Sequence, residues 1–219
     1  MLNLSITAAL VLVIVLGGIL LRENQSKAVS AAGAHGKSTP AVGTAPKDSV
    51  EHFQILPSPA LVESRANEGD TLRIRYGNEE HIFVLYFADA LETTMNHPQL
   101  VAEQGRYFGK AADKVILETG NEAAAYVAQL LKERPFDVLT KWEHVPNTVR
   151  YYAIIKVHLP EGPVYLADLL ISKGFAWVHG IPTDLPDDKR DLPTYVVELS
   201  TLARKARESK AGIWERLAK

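Results

Sequence analysis

Cysteine is absent from the 219 residues. A disulfide framework, a thiolate metal site, an iron–sulfur cluster and a cysteine nucleophile are therefore excluded. An excess of positive charge is missing too: 24 Lys and Arg face 26 Asp and Glu, a net charge of −2. Proteins that grip nucleic acid mainly by electrostatics are usually clearly basic, so composition disfavours a tight, sequence-independent nucleic-acid binder. The chain has no phosphate-binding GxxxxGK[ST] loop, no strand–GxGxxG–helix unit, no GxSxG elbow and no HExxH pair. His35, His52, His81, His97, His144, His158 and His179 are scattered without ligand spacing.

What is present is uneven. With 47% hydrophobic and 23% charged residues the chain is globular on average and long enough for one ordinary domain. Residues 1–21 carry no charged side chain, and Arg22 and Glu23 end an apolar run over residues 6–21. About 20 helical residues span a bilayer core, so residues 1–23 read as a transmembrane anchor. A cleaved signal segment is the alternative, with Val29-Ser30-Ala31 offering small residues; a buried core helix is the third reading. Residues 24–50 are rich in Ala, Gly, Ser, Thr and Pro and have no aromatic, which predicts a flexible linker. The remaining residues, 51–219, form the expected folded domain. The first fifty residues hold 4 basic and 2 acidic side chains, so the domain has 20 basic and 24 acidic ones, a net of −4.

Residues 71–76 alternate apolar and polar as a half-buried strand does, Gly77-Asn78 signals a turn, and residues 81–88 are a continuous apolar strand. Helical spacing over 121–134 stops at Pro135. Strands are expected over 136–142 and 150–158, and helices over 166–173 and 194–210. Strands, helix, strands, then two helices imply an α+β domain with an antiparallel sheet rather than βαβ units.

Two acidic clusters flank the first hairpin: Glu68-Gly69-Asp70 before its first strand and Asp89-Ala90-Leu91-Glu92 after its second. A hairpin brings the start of one strand beside the end of the other, so Asp70 and Asp89 should converge, with Glu92 nearby. Converging carboxylates repel unless a cation lies between them, and an all-oxygen site suits Ca²⁺ or Mg²⁺. Turn and capping roles for these acids are the competing explanation.

The order of motifs resembles the staphylococcal nuclease-like (thermonuclease-like) family. Gly69-Asp70-Thr71 and Asp89-Ala90-Leu91-Glu92-Thr93 resemble its metal-binding hairpin. Arg150-Tyr151-Tyr152-Ala153 resembles its Arg-bearing strand, and residues 166–178 the helix and strand that follow. Residues 202–207 with Gly212-Ile213-Trp214 resemble its closing helix. The likeness runs from about residue 66 to 215. It implies an OB-type five-stranded antiparallel β-barrel with three helices. It also implies a Ca²⁺-dependent phosphodiesterase acting on DNA or RNA. Carried over by position, Asp70 and Asp89 hold the metal by carboxylates and Ala90 by its carbonyl. Glu92 is the general base and Arg150 the phosphate ligand. A monomer, anchored to a membrane through residues 1–21 or exported, is the expected form.

Departures from that pattern are specific. The family's second phosphate-binding Arg falls on Val84, five residues before Asp89. Losing one preorganised donor to a developing oxyanion costs about 10²–10³ in rate. The nucleoside-binding Tyr falls on Thr148, the Lys before it on Asn147, and two later aromatics on Gly180 and Pro182. In the longer 94–120 stretch, Tyr107 and Phe108 are expected to pack and Arg106 to be solvated. A swing of Arg106 or Tyr107 into the site is the alternative. An active nuclease, a degenerate binding module and a structural envelope domain all remain open. The four retained positions Asp70, Asp89, Glu92 and Arg150 favour the first.

Overall fold

The computed structural model describes residues 51–56, 58–186 and 190–218. The expected N-terminal helix and linker lie outside the described residues. No helix among the described residues is long and apolar enough to cross a membrane. The elements run β1 (Gln54–Leu56), β2 (Ala60–Leu61), β3 (Thr71–Tyr76), β4 (Glu79–Leu85), β5 (Ala88–Ala90), α1 (Pro98–Tyr107) and α2 (Asp113–Glu133). Then come β6 (Phe136–Thr140), β7 (Arg150–Leu159), β8 (Gly162–Tyr165), α3 (Leu166–Ser172), β9 (Ala176–Val178), α4 (Leu192–Glu208) and α5 (Ile213–Leu217). The class is α+β.

Seven strands form one sheet in the order β1-β6-β7-β4-β3-β2, with β8 paired to β7, while β5 and β9 form a separate ribbon. Four features differ from the sequence expectation. The sheet is mixed, because β4 and β7 pair in parallel. Parallel neighbours need a long crossover, and residues 86–149, carrying α1, α2 and β6, supply it. Nine short strands and five helices replace five strands and three helices among the described residues. The apolar run 81–88 does not stay one strand: Phe87 takes a left-handed φ of 69°, which ends β4 and starts β5. Finally, the strand path among the described residues is open, not a closed barrel. Its two ends, β1 and β2, are separated by only residues 57–59, so covalent geometry keeps Leu56 and Ala60 within about 15 Å.

The main core lies on one face of β3 and β4, where Leu72 pairs with Phe83 and Ile74 with His81. Val138, Leu139, Ile155 and Trp142 complete it, all buried. Each such apolar side chain contributes roughly 1.5–3 kcal/mol relative to exposure. Trp142 hydrogen-bonds Gln54 Oε1 through its indole N–H at 2.9 Å, so burial leaves no orphaned donor there. The opposite face carries Arg73 and Arg75, ion-paired to Glu80 at 3.7 and 2.8 Å.

A second, smaller core unites Leu91, Val101, Phe108, Ala111, Ile116, Trp177 and Ile213. It fastens α1 and α2 beneath the segment that carries Glu92. Helix α1 opens with Pro98 in its first turn, where a missing N–H costs nothing. Helix α2 ends at Glu133 because Arg134, preceding Pro135, is held extended at φ −122°, ψ 137°. It begins eight residues earlier than the periodicity suggests and runs through Gly120, a residue that disfavours helix interiors. Tertiary contact explains this choice: a Cβ on Gly120 would lie 2.2 Å from the Glu92 carbonyl oxygen and 2.4 Å from that of Leu91. Gly120→Ala is therefore expected to cost about 3 kcal/mol. A melting temperature within a degree of the parent would show that α2 does not press on the Glu92 segment.

Candidate functional site

The hairpin of β3 and β4 does bring the acidic clusters together. Leu85 N–H donates to the Asp70 carbonyl at 3.0 Å, extending the pairing past the end of β4. The turn at Phe87 then sends β5 alongside β9, with Asp89 opposite Trp177. Ala90 N–H donates to Asp70 Oδ2 at 3.2 Å. This close approach is why Gly69 precedes Asp70: a Cβ there would sit 2.7 Å from the Ala90 methyl.

The electrostatics are those of crowded carboxylates. Asp89 and Glu92 are each only 7% exposed. The Asp70 carboxyl turns inward against Ala90. Burial, then the Asp89 and Glu68 carboxylates, push it well above the usual carboxylate range; the Ala90 N–H opposes the rise and Glu92 adds to it. Burial, then Glu68 and Asp89, push Glu92 up to about 7, with Arg150 pulling the other way. Glu92 Oε2 is buried without a hydrogen-bond partner. Glu68 Oε1 accepts from Thr93 Oγ1 at 3.0 Å, so Glu68 is a fourth carboxylate of the group.

Two neighbours were not foreseen. Gln104, on α1, is fully buried; its Nε2 donates to the Ala90 carbonyl at 3.0 Å and to Asp89 Oδ1 at 3.3 Å, and its Oε1 accepts from Glu92 N–H at 3.0 Å. His179 places Nδ1 3.1 Å from Asp89 Oδ2. The ring lies flat on Trp177 at 4.2 Å between centroids and 10° between planes. Neither residue has a sequence signal: Gln104 lies in a helix too polar to stand out, and His179 belongs to no spaced pair.

The donor set fits a hard divalent cation. Asp70, Asp89 and the Ala90 carbonyl offer only oxygen, and the orphaned Glu92 Oε2 is a buried acceptor in need of a positive partner. The hydrogen bonds from Gln104 and His179 use one lone pair on each oxygen and leave others available. Among the described residues no three His, Asp or Glu side chains are already gathered in metal-binding geometry. The cluster is thus a group of crowded carboxylates rather than a preformed ligand cage.

Arg150 begins β7, is exposed, and lies close enough to Glu92 to lower its proton affinity. Val84 lies opposite Thr71 on one side and Tyr152 on the other, two pairs along from the Ile82–Arg150 pair and on the same sheet face. A guanidinium from position 84 would therefore share a sheet face with Arg150; valine supplies only buried methyls. Thr148 Oγ1 donates to the Val145 carbonyl at 2.9 Å, closing a turn. Gly180 has φ +129°, a conformation that an aromatic side chain would hold only under strain. Arg106 is exposed at the end of α1, whereas Tyr107 packs edge-on against Phe108 and Trp177 at 4.8 and 4.9 Å. Neither is drawn toward the carboxylates.

No protein-family model matches the chain, and no curated protein matches it.

Glu92 titrates near 7 when folded and at the ordinary 4.5 when unfolded. Between these values the folded chain keeps a proton that the unfolded chain has lost. The group's contribution to stability is therefore present at low pH and is lost as pH rises toward 7. Without divalent cation, the melting temperature of Glu92→Gln relative to the parent is expected to rise between pH 5 and pH 8. A difference that stays flat over this range in thermal unfolding would contradict it.

Proposed function

We propose that the chain is a divalent-metal-dependent phosphodiesterase that hydrolyses DNA or RNA, with turnover limited by Val84. The observation that carries this reading is the meeting of Asp70, Asp89 and a buried, unpartnered Glu92 carboxylate with the Arg150 guanidinium at their edge. Asp70, Asp89 and the Ala90 carbonyl would hold Ca²⁺, with Mg²⁺ as the alternative ion. When bound, the cation supplies charge neutralisation for the phosphate and for the attacking water. Glu92 takes the proton from that water as its oxygen bonds to phosphorus. Arg150 donates to the non-bridging oxygens as the P–O bond to the leaving group breaks, and the leaving oxygen gains its proton from solvent. A bound divalent cation also offsets part of the domain's acidity, which lowers the barrier to a polyanionic substrate.

The fold that goes with this reading is an OB-type barrel of the staphylococcal nuclease-like family. The parallel β4–β7 pair and the three-residue gap between the two ends of the strand path support a sheet that curls back on itself. Residues 1–21 anchor the monomeric domain to a membrane or direct its export, and residues 24–50 tether it. Their composition is the support.

A second reading, a binding module that no longer cleaves, is favoured by Val84, by Thr148, Gly180 and Pro182 at the family's aromatic positions, and by the domain's net charge of −4. Incubating the full-length protein with single-stranded DNA and RNA, in Ca²⁺ or in chelator, separates the two. Cleavage is expected in Ca²⁺ and not in chelator, and Glu92→Gln should abolish it. Strand binding without cleavage would favour the second reading. Val84→Arg is expected to raise the cleavage rate toward the roughly 10²–10³-fold that a second phosphate donor is worth. A folded Val84→Arg protein with unchanged rate would mean that position 84 does not limit turnover.

A further inference from the structure

We infer that Gln104 is a positioning residue, which presents Asp89, Ala90 and Glu92 to the cation as one rigid unit. This rests on the metal-dependent reading above. Three observations support it. Gln104 is 0% exposed, although glutamine is rarely buried so completely. Its amide makes three hydrogen bonds to the acidic segment: Nε2 donates to Asp89 Oδ1 and to the Ala90 carbonyl, and Oε1 accepts from the N–H of Glu92. It comes from α1, whose own attachment is the small apolar core around Val101 and Phe108, so helix packing is transmitted to the carboxylates.

The chemistry of the contacts explains why a neutral amide serves here. A lysine or arginine at this place would neutralise Asp89 and compete with a cation. A neutral NH₂ orients the same oxygens, leaves their charge intact and leaves lone pairs free. Partners of this kind, behind the ligands themselves, typically hold 10–100-fold of metal affinity. The three bonds also set spacing. Asp89 and Ala90 face the amide nitrogen while the Glu92 N–H faces its oxygen, so the chain from 89 to 92 is bent around one side chain. Glu92 Oε2, at the end of this stretch, has no protein partner.

Calcium binding to the full-length protein, followed by titration calorimetry with Ca²⁺ alone, tests the inference. Gln104→Leu and the longer, more flexible Gln104→Met remove the hydrogen bonds at similar volume. Each is expected to weaken Ca²⁺ binding at least about tenfold. Leu199→Ala, which opens a cavity beneath α4 and not beneath α1, should lower the melting temperature and leave the Ca²⁺ affinity unchanged. In the parent protein, the Gln104 side-chain amide protons should stay protected from solvent exchange after Ca²⁺ binds. Unchanged affinity in a folded Gln104 variant overturns the assignment while the metal-dependent reading stands. Tighter binding, or loss of amide protection on adding Ca²⁺, overturns it as well, because the cation would then be displacing Gln104. A parent protein that binds no Ca²⁺ removes both the metal-dependent reading and the role of Gln104 in it.

Discussion

Four carboxylates, Glu68, Asp70, Asp89 and Glu92, are held at one end of the sheet, and the surrounding structure is arranged to tolerate their repulsion. Part of the offset is backbone: the Ala90 N–H on Asp70. Part is neutral side chain: Thr93 on Glu68 and Gln104 on Asp89. Part is proton uptake, visible in the raised Asp70 and Glu92 carboxyls. No lysine is ion-paired to this group among the described residues, and Arg150 stays at its edge. An acidic cluster compensated by weak, neutral donors retains its affinity for a divalent cation, which a cluster neutralised by salt bridges would lose.

The two cores divide the work of holding that cluster. The larger core fixes β3, β4 and β7, and with them Asp70 and Arg150. The smaller one fixes α1, α2 and Leu91, and with them Glu92. Gly69 and Gly120 mark where the two meet the site, since each lies where a Cβ would strike the 90–92 segment. His179 ties β9 to the same place through Asp89, with its ring clamped on Trp177. Every element that reaches the cluster thus arrives by apolar packing and ends in a polar contact. This is how a protein can hold like charges together at modest cost to stability.

Much of the candidate site could be read from order and spacing. The alternation of residues 71–76, the turn after them and the apolar run that follows determine a hairpin, and a hairpin alone brings Asp70 toward Asp89. Gln104 was not legible. Its role depends on a helix that has no strong apolar stripe and is stabilised by Val101 and Phe108 meeting residues distant in sequence. His179 was hidden for the same reason, because its partner Asp89 is ninety positions away. The parallel β4–β7 pair was missed because local pattern records which segments are strands and not which way a long crossover returns.

By itself, then, the sequence determined the α+β class, the main hairpin and the exclusion of thiolate from any metal chemistry. These follow from residue type and short-range periodicity. Tertiary structure alone decided that α2 runs through Gly120, that the apolar run over 81–88 breaks at Phe87, and that a buried glutamine holds the acidic segment. Each of these sets a local preference against a long-range contact. In each the contact prevails: Gly120 and Gln104 meet the 90–92 segment, and Phe87 donates its N–H to the Ile181 carbonyl and packs edge-on against Tyr195, which outweighs the fraction of a kilocalorie to about 1 kcal/mol that separates local conformations.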